Sequence, residues 1–84
     1  MNIQLRFFAS VREALGTSAE TLAAPASVTT VGQLRSHLAA RGGAWEQALG
    51  SESLRMACNQ VMCSAETTLT DGCEVAFFPP VTGG

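Results

Sequence analysis

The sequence from Thr70 to Gly84 reads TDGCEVAFFPPVTGG, and this stretch decides the fold prediction. Asp71-Gly72 is a strong turn signal, because glycine adopts the positive φ that tight turns require. The segment from Cys73 to Phe78 has the β-branched and aromatic content of a short buried strand. Pro79 and Pro80 have no backbone N–H to donate, so we expect strand pairing to end just before them.

The chain ends in Gly83 and Gly84, which leave no side chain around the final carboxylate. Such an end can enter a channel that is too narrow for a Cβ. A partner that brings ATP can activate a terminal carboxylate as an acyl-adenylate, which is then converted to an ester, an amide or a thiocarboxylate. An inert, frayed terminus is the alternative. The rigid Pro79-Pro80 segment directly after a buried strand favours the functional interpretation of the terminus. We therefore predict a domain at 1–78 and an extended tail at 79–84, and the tail can span at most ~20 Å.

The composition excludes several classes of protein. With 84 residues the chain forms one domain, and its net charge of −2 argues against nucleic acid or an anionic membrane as the main partner. All five basic residues are arginines, so no lysine amine is present to capture an activated terminus. We expect a cytoplasmic protein, because there is neither a stretch of transmembrane length nor a basic-then-apolar signal segment at the N-terminus.

The residues that often carry chemistry are sparse. Cys58, Cys63 and Cys73 are odd in number and form no C-x-x-C motif, so we expect free thiols in a reducing compartment and no metal site. His37 has no neighbouring ligand or catalytic partner in the sequence and is expected either at the surface or packed at the border of the apolar stripe of the main helix. No phosphate-binding loop is present, so we expect no cofactor bound by this chain and ATP bound by an activating partner.

The remaining elements follow from periodicity and capping signals. Asn2 to Phe8 alternates as a half-buried strand, and Ser10-x-x-Glu13 fits a capping box that opens a short helix. A second capping box at Thr30–Gln33 opens the main helix. The other expected elements are a weak strand at Ser18–Ala24, helical turns around Trp45–Leu49, and strands at Leu54–Asn59 and Val61–Ala65 around an Asn59-Gln60 turn.

This order predicts one compact α+β domain. The economical arrangement is a mixed five-stranded sheet with one main helix packed on one face. The first and last strands are expected side by side at its centre.

The alternation of the strands predicts an apolar patch on the uncovered face. Phe8 points away from the core face that holds Phe7, and Phe78 lies opposite Phe77. Met62 is out of phase with its neighbours in the hairpin. Exposed aromatic residues on a sheet face suggest a partner-binding surface, although a loop or the tail could instead cover them.

Three segments resemble the small subunit of molybdopterin synthase, the MoaD family. These are LTDGCEVAFFPPVTGG at 69–84, LRFFASVRE at 5–13, and Asn59-Gln60. The resemblance runs over nearly the whole chain and implies the β-grasp, ubiquitin-like fold, which agrees with the element order.

The resemblance also implies a sulfur carrier. An E1-like, MoeB-like enzyme would adenylate Gly84, and sulfur from a sulfurtransferase would convert it to a thiocarboxylate. The tail would then enter the active site of the large, MoaE-like subunit, within a heterotetramer, and give its sulfur to cyclic pyranopterin monophosphate to form the molybdopterin dithiolene. Catalytic side chains are expected on that subunit. The implied catalytic residues of this chain are Gly84, which carries the adenylate and the thiocarboxylate, and Gly83. The implied contact residues are Phe8, Met62, Phe78, Pro79, Pro80, Val81 and Thr82, with Arg12 assisting docking.

One residue departs from the family, and other functions stay open. Cys73 stands where the family usually has Asp, which removes a charge at the turn and is expected to alter local partner contacts. The alternatives are a ThiS-like carrier for thiamine thiazole synthesis, a ubiquitin-like protein modifier, and an interaction module with an inert tail.

Overall fold

The computed structural model describes residues 1–80. Within this range the chain forms a five-stranded sheet in the order β2-β1-β5-β3-β4, with the helices on one face. The elements are β1 (Asn2–Phe7), α1 (Ala9–Leu15), β2 (Ala19–Ala23), α2 (Val31–Ala39), α3 (Ala44–Leu49), β3 (Arg55–Cys58), β4 (Val61–Met62) and β5 (Glu74–Phe78). None of the described helices is both long enough and apolar enough to cross a membrane.

The two central strands are the first and the last, as the sequence predicts. β1 and β5 run parallel, with Leu5 opposite Val75 and Phe7 opposite Phe77, while every other pairing in the sheet is antiparallel. Parallel neighbours need a long crossover, which the intervening helices supply. This mixed sheet, with its helices on one side, confirms the predicted α+β, β-grasp fold.

The core lies between the sheet and the helices. Alternate β1 residues are buried to 1% exposure or less, as the period of two requires. Phe7 stacks on Phe77 at a centroid distance of 6.0 Å and meets the edge of Trp45 at 5.5 Å. The helices contribute Val11, Val31, Leu34, Leu38 and Leu49 to the same cluster.

The predicted capping box at the start of α2 is confirmed. The Gln33 backbone N–H donates to the Thr30 hydroxyl at 3.2 Å, and the Gln33 side-chain oxygen accepts from the Thr30 backbone N–H at 3.2 Å. Both interactions satisfy donors that the first helical turn leaves free.

We predict that Thr30→Ala lowers the free energy of unfolding by about 1 kcal/mol, because the helix loses its N-cap acceptor. Urea denaturation checks this value. Ser36→Ala is the control, since Ser36 is exposed within α2 and caps nothing. Equal stability of the two variants would contradict the capping role.

The predicted capping box at Ser10 is wrong. α1 begins at Ala9, its N-cap is Phe8, and no side chain caps it. The Phe8 N–H donates to the Phe77 carbonyl at 3.2 Å, so the sheet holds the chain up to that residue. Ala9 then turns directly into the helix with φ 51°, which leaves Ser10 already inside it. The cap position is therefore set by the end of the sheet ladder.

The β3–β4 hairpin forms as predicted, but β4 is shorter than predicted. Asn59 and Gln60 have φ values of 50° and 68°, as a two-residue type I′ turn requires. β4 ends at Met62 instead of Ala65. The Ala65 carbonyl accepts from the Gly32 N–H at 2.9 Å, so the chain has already turned toward the start of α2.

An ion pair between Glu20 and Arg41 connects edge strand β2 to the segment after α2. Arg41 donates two hydrogen bonds to the Glu20 carboxylate at 2.6 and 2.9 Å, and its guanidinium lies 4.3 Å from the centroid of the Trp45 ring. The hydrogen bond from Arg41 lowers the pKa of Glu20. Because the pair is partly exposed, we expect it to contribute no more than about 1 kcal/mol.

Candidate functional site

The face of the sheet opposite the helices, here called the open face, carries the outward residues of every strand. The register places Arg6, Ala76, Ala57 and Met62 in one row across β1, β5, β3 and β4. The two central alanines are only 6% and 7% exposed. The small side chains of Ala57 and Ala76 therefore leave a shallow depression on the open face between Arg6 and Met62.

Three apolar side chains stand on this face, and we call Phe8, Met62 and Phe78 the apolar patch. Phe8 continues β1 in extended conformation (φ −125°, ψ 153°), so the strand alternation places it outward beside Phe78. Phe8 is 43% exposed and Met62 61%, while Phe78 is half-buried. None of the residues 1–80 covers the patch completely, so the predicted outward positions of all three are confirmed.

One neighbour of the patch differs from the prediction. The alternation of β4 places Val61 on the core side, yet Val61 is 68% exposed. It directly follows the Asn59-Gln60 turn, where the hairpin extends past the edge of the core. The exposed apolar surface at this end of the hairpin is therefore larger than the sequence predicts.

The last strand, β5, fixes the position of the residue from which the tail begins. β5 is paired on both sides, and Phe77 at its end is fully buried. Pairing ends at Phe78, as the two prolines predict. Pro79 lines a cavity of about 180 Å³ next to α1 and α3.

The remaining tail residues of the candidate site, Val81, Thr82, Gly83 and Gly84, lie outside the described residues. The structure does locate the point from which these residues continue the chain. They follow Pro80, which is half-buried and lies two residues after Phe78, the member of the apolar patch at the end of β5.

Arg12 lies on a different element from the patch. It is exposed on α1, and its N–H donates to the Phe8 carbonyl, so it is one helical turn from the patch. Among residues 1–80, the ion pair found joins Arg41 to Glu20, which leaves the Arg12 guanidinium without a carboxylate in that range.

The three thiols gather on the core side of the sheet, away from the open face. Cys73 is 4% exposed, and Cys58 and Cys63 are half-buried. Burial raises the pKa of the Cys58 thiol, the neighbouring Cys73 thiol raises it further, and burial also raises the pKa of Cys63. The raised pKa disfavours the nucleophilic thiolate form of Cys58 and Cys63.

Cys73 is only 4% exposed and lies in the core, so the expected effect on partner contacts concerns the lost charge at the turn, and it stays a prediction. His37 is exposed on α2, as predicted. Within the described part of the chain, no group of three or more His, Cys, Asp or Glu residues could hold a metal ion.

Sequence reasoning missed Arg55 as a candidate site residue. It lies directly opposite Phe78 on the open face, at the point where the tail begins. The alternation that buries Met56 places Arg55 on the open face, but its position beside Phe78 depends on the pairing of β3 with β5, which local sequence does not specify.

Comparison with known proteins gives consistent results. The model of the ThiS family matches residues 5–84. The molybdopterin synthase sulfur carrier subunit of Escherichia coli (strain K12) is 51% identical over 82 residues, covering 98% of this chain and 99% of that protein. The subunit of the same name from Haemophilus influenzae (strain ATCC 51907 / DSM 11121 / KW20 / Rd) is 40% identical with the same coverage.

A solved structure agrees with these relatives. The complex of subunits 1 and 2 of molybdopterin-converting factor from Helicobacter pylori 26695 contains a chain that matches with a TM-score of 0.71 and 25% identity, over 100% of both chains. The chain described here therefore belongs to the ThiS family, together with the molybdopterin synthase sulfur carrier subunits.

Proposed function

We propose that this chain is the sulfur carrier subunit of a molybdopterin synthase and that it carries sulfur as a thiocarboxylate on Gly84. The observation that supports this most strongly is the apolar patch at the root of a tail that ends in Gly-Gly. One surface docks the chain, and the tail that starts beside it reaches the reacting centre. The 51% identity to a sulfur carrier subunit, over 98% of this chain and 99% of that protein, supports the same function.

The Gly84 carboxylate is a poor electrophile and must be activated before sulfur can be attached to it. An oxygen of the Gly84 carboxylate attacks the α-phosphorus of ATP held by an E1-like partner, and pyrophosphate leaves. The resulting acyl-adenylate has a good leaving group. The persulfide of a sulfurtransferase then attacks the acyl carbon and AMP leaves. A reducing thiol cleaves the sulfur–sulfur bond, which leaves the thiocarboxylate on Gly84 and a disulfide on the reducing side.

The thiocarboxylate is a soft nucleophile with no side chain around it. In the large subunit its sulfur attacks an oxygen-bearing carbon of the pyranopterin precursor. The new carbon–sulfur bond replaces a carbon–oxygen bond, and the displaced oxygen leaves as water or as an oxygen of the opened phosphate ester. Hydrolysis of the acyl–sulfur bond leaves sulfur on the precursor and returns the Gly84 carboxylate. Two rounds supply the two sulfurs of the dithiolene. Acid–base and phosphate-binding groups are supplied by the large subunit, and ATP is used by the E1-like partner.

The absence of lysine fits this chemistry. An activated C-terminus reacts with nearby amines, and this sequence has no lysine amine to offer. The Met1 ammonium donates to the Ala24 carbonyl at 3.3 Å. Loss of the activated carrier through its own side-chain amines is therefore avoided.

Reconstitution tests the proposal. Thiocarboxylated protein is mixed with the large subunit and cyclic pyranopterin monophosphate, and the expected result is molybdopterin with return of the carrier to its carboxylate form. Transfer of sulfur only to a thiazole precursor, in a parallel reaction with a thiazole synthase, would assign the chain to thiamine synthesis. Adducts on lysines of other proteins would assign it to protein modification.

A further inference from the structure

Two arginines flank the apolar patch on the open face. Arg55 lies opposite Phe78, and Arg6 lies opposite Ala76, one strand away. Both side chains are exposed. The patch therefore has guanidinium groups on two sides, at the end of the sheet from which the tail leaves.

Neither guanidinium is neutralised within residues 1–80. The ion pair found there joins Arg41 to Glu20, at the β2 edge. Arg55 donates only to the Ser53 carbonyl at 3.3 Å, which is a local contact with a neutral group. Glu74 shares the open face, opposite Gln4, but its carboxylate does not lie within ion-pair distance of Arg6.

A partner that covers the apolar patch also covers the arginines beside it. Removing a guanidinium from water without a partner costs several kcal/mol, which would offset much of the gain from burying the patch. A carboxylate opposite each guanidinium removes this cost, since the planar donor fork of arginine matches a carboxylate with two parallel hydrogen bonds.

The local charge also opposes the net charge of the chain. Arg6 and Arg55 make the area around the patch positive, although the whole protein carries −2. A local field of this kind steers an acidic surface toward the correct face and repels a basic one.

We propose that the open face docks a surface with an apolar centre and carboxylates that face Arg6 and Arg55. This inference rests on the proposed function and names the occupant as the large subunit of molybdopterin synthase. The arginines set the orientation and the choice of partner, while the apolar patch supplies most of the buried area.

Titration of the large subunit by calorimetry, at about 50 and about 300 mM salt, tests the inference. The variant is the double substitution Arg6→Gln and Arg55→Gln, which keeps long polar side chains but removes both charges. We expect its Kd to be about 10- to 100-fold higher than that of the unaltered chain at low salt, and to change less with salt. Circular dichroism verifies that the variant is folded.

The control is a double substitution of equal charge change on the far side of the molecule, Ser36→Glu and Ala40→Glu. Both residues are exposed on or next to α2, which packs on the other face of the sheet. We expect its Kd to match that of the unaltered chain within about threefold.

The outcomes separate the inference from the proposed function. Equal affinity and equal salt dependence of the arginine variant would overturn the inference and leave the proposed function standing. Equal weakening by the Ser36/Ala40 control would overturn it too, because bulk charge would then explain the effect. Failure of the unaltered chain to bind the large subunit at all would contradict the proposed function and the inference together.

Discussion

Deletion of Gly84 is expected to abolish sulfur transfer without changing the free energy of unfolding. The deletion withdraws the terminal carboxylate by about 3.5 Å, one residue of extended chain. A misplacement of about 1 Å at a reacting centre can cost ~100-fold in rate, so we expect a loss of at least about 1,000-fold. The measurement is molybdopterin formed per minute by the truncated chain, the activating enzymes and the large subunit.

The fold is expected to tolerate this deletion because the core ends upstream. Sheet pairing stops at Phe78, and the last core residue is Phe77. A thermal melt within about 1 °C of the full-length chain serves as the control. Thr82→Ser is a second control, since it keeps the length and the terminal glycines. Sulfur transfer by the truncated chain at a rate near that of the full-length chain would contradict the role of Gly84.

Phe78→Arg is expected to weaken the complex with the large subunit by at least about 100-fold, because a charge would replace an aromatic side chain at the centre of the docking surface. The new guanidinium would also stand directly opposite Arg55, so two like charges would face each other across neighbouring strands. Calorimetric titration measures the Kd.

Two control variants isolate the cause of this loss. Phe78→Leu keeps an apolar side chain and is expected to weaken binding by less than about tenfold. Ser36→Arg adds the same charge on α2, behind the sheet, and is expected to have no effect on the Kd. Since Phe78 is half-exposed, we expect its substitution to leave the protein folded. Unchanged affinity of Phe78→Arg would count against the open face as the docking surface.

The parts of this fold that the sequence predicts are those that local patterns determine. The alternation in β1 identifies its buried side, and the Thr30–Gln33 pattern locates the start of α2. The Asn59-Gln60 turn is indicated by Asn59, since asparagine adopts positive φ more readily than most residues, and Gln60 follows it with positive φ as the two-residue hairpin requires. These signals lie within a few residues of the element they specify, so no tertiary information is needed.

The parts that the sequence does not predict depend on contacts between distant segments. α1 has no cap at Ser10 because Phe77, about seventy residues later, holds Phe8 in the sheet. β4 stops at Met62 because the Ala65 carbonyl binds the start of α2. Arg55 gains its position beside Phe78 only through the pairing of β3 with β5. In each case the deciding hydrogen bond or register joins residues that are far apart in the chain.

The central claim is that the terminal glycine of this chain is a site of sulfur loading, and the mass of the intact protein tests it most directly. The chain is co-expressed with its E1-like enzyme and a sulfurtransferase and then weighed by mass spectrometry. The predicted result is a species heavier by about 16 Da, the difference between sulfur and oxygen, with the added mass confined to the C-terminal fragment. An unchanged mass, or the same added mass in the chain that lacks Gly84, would contradict the claim.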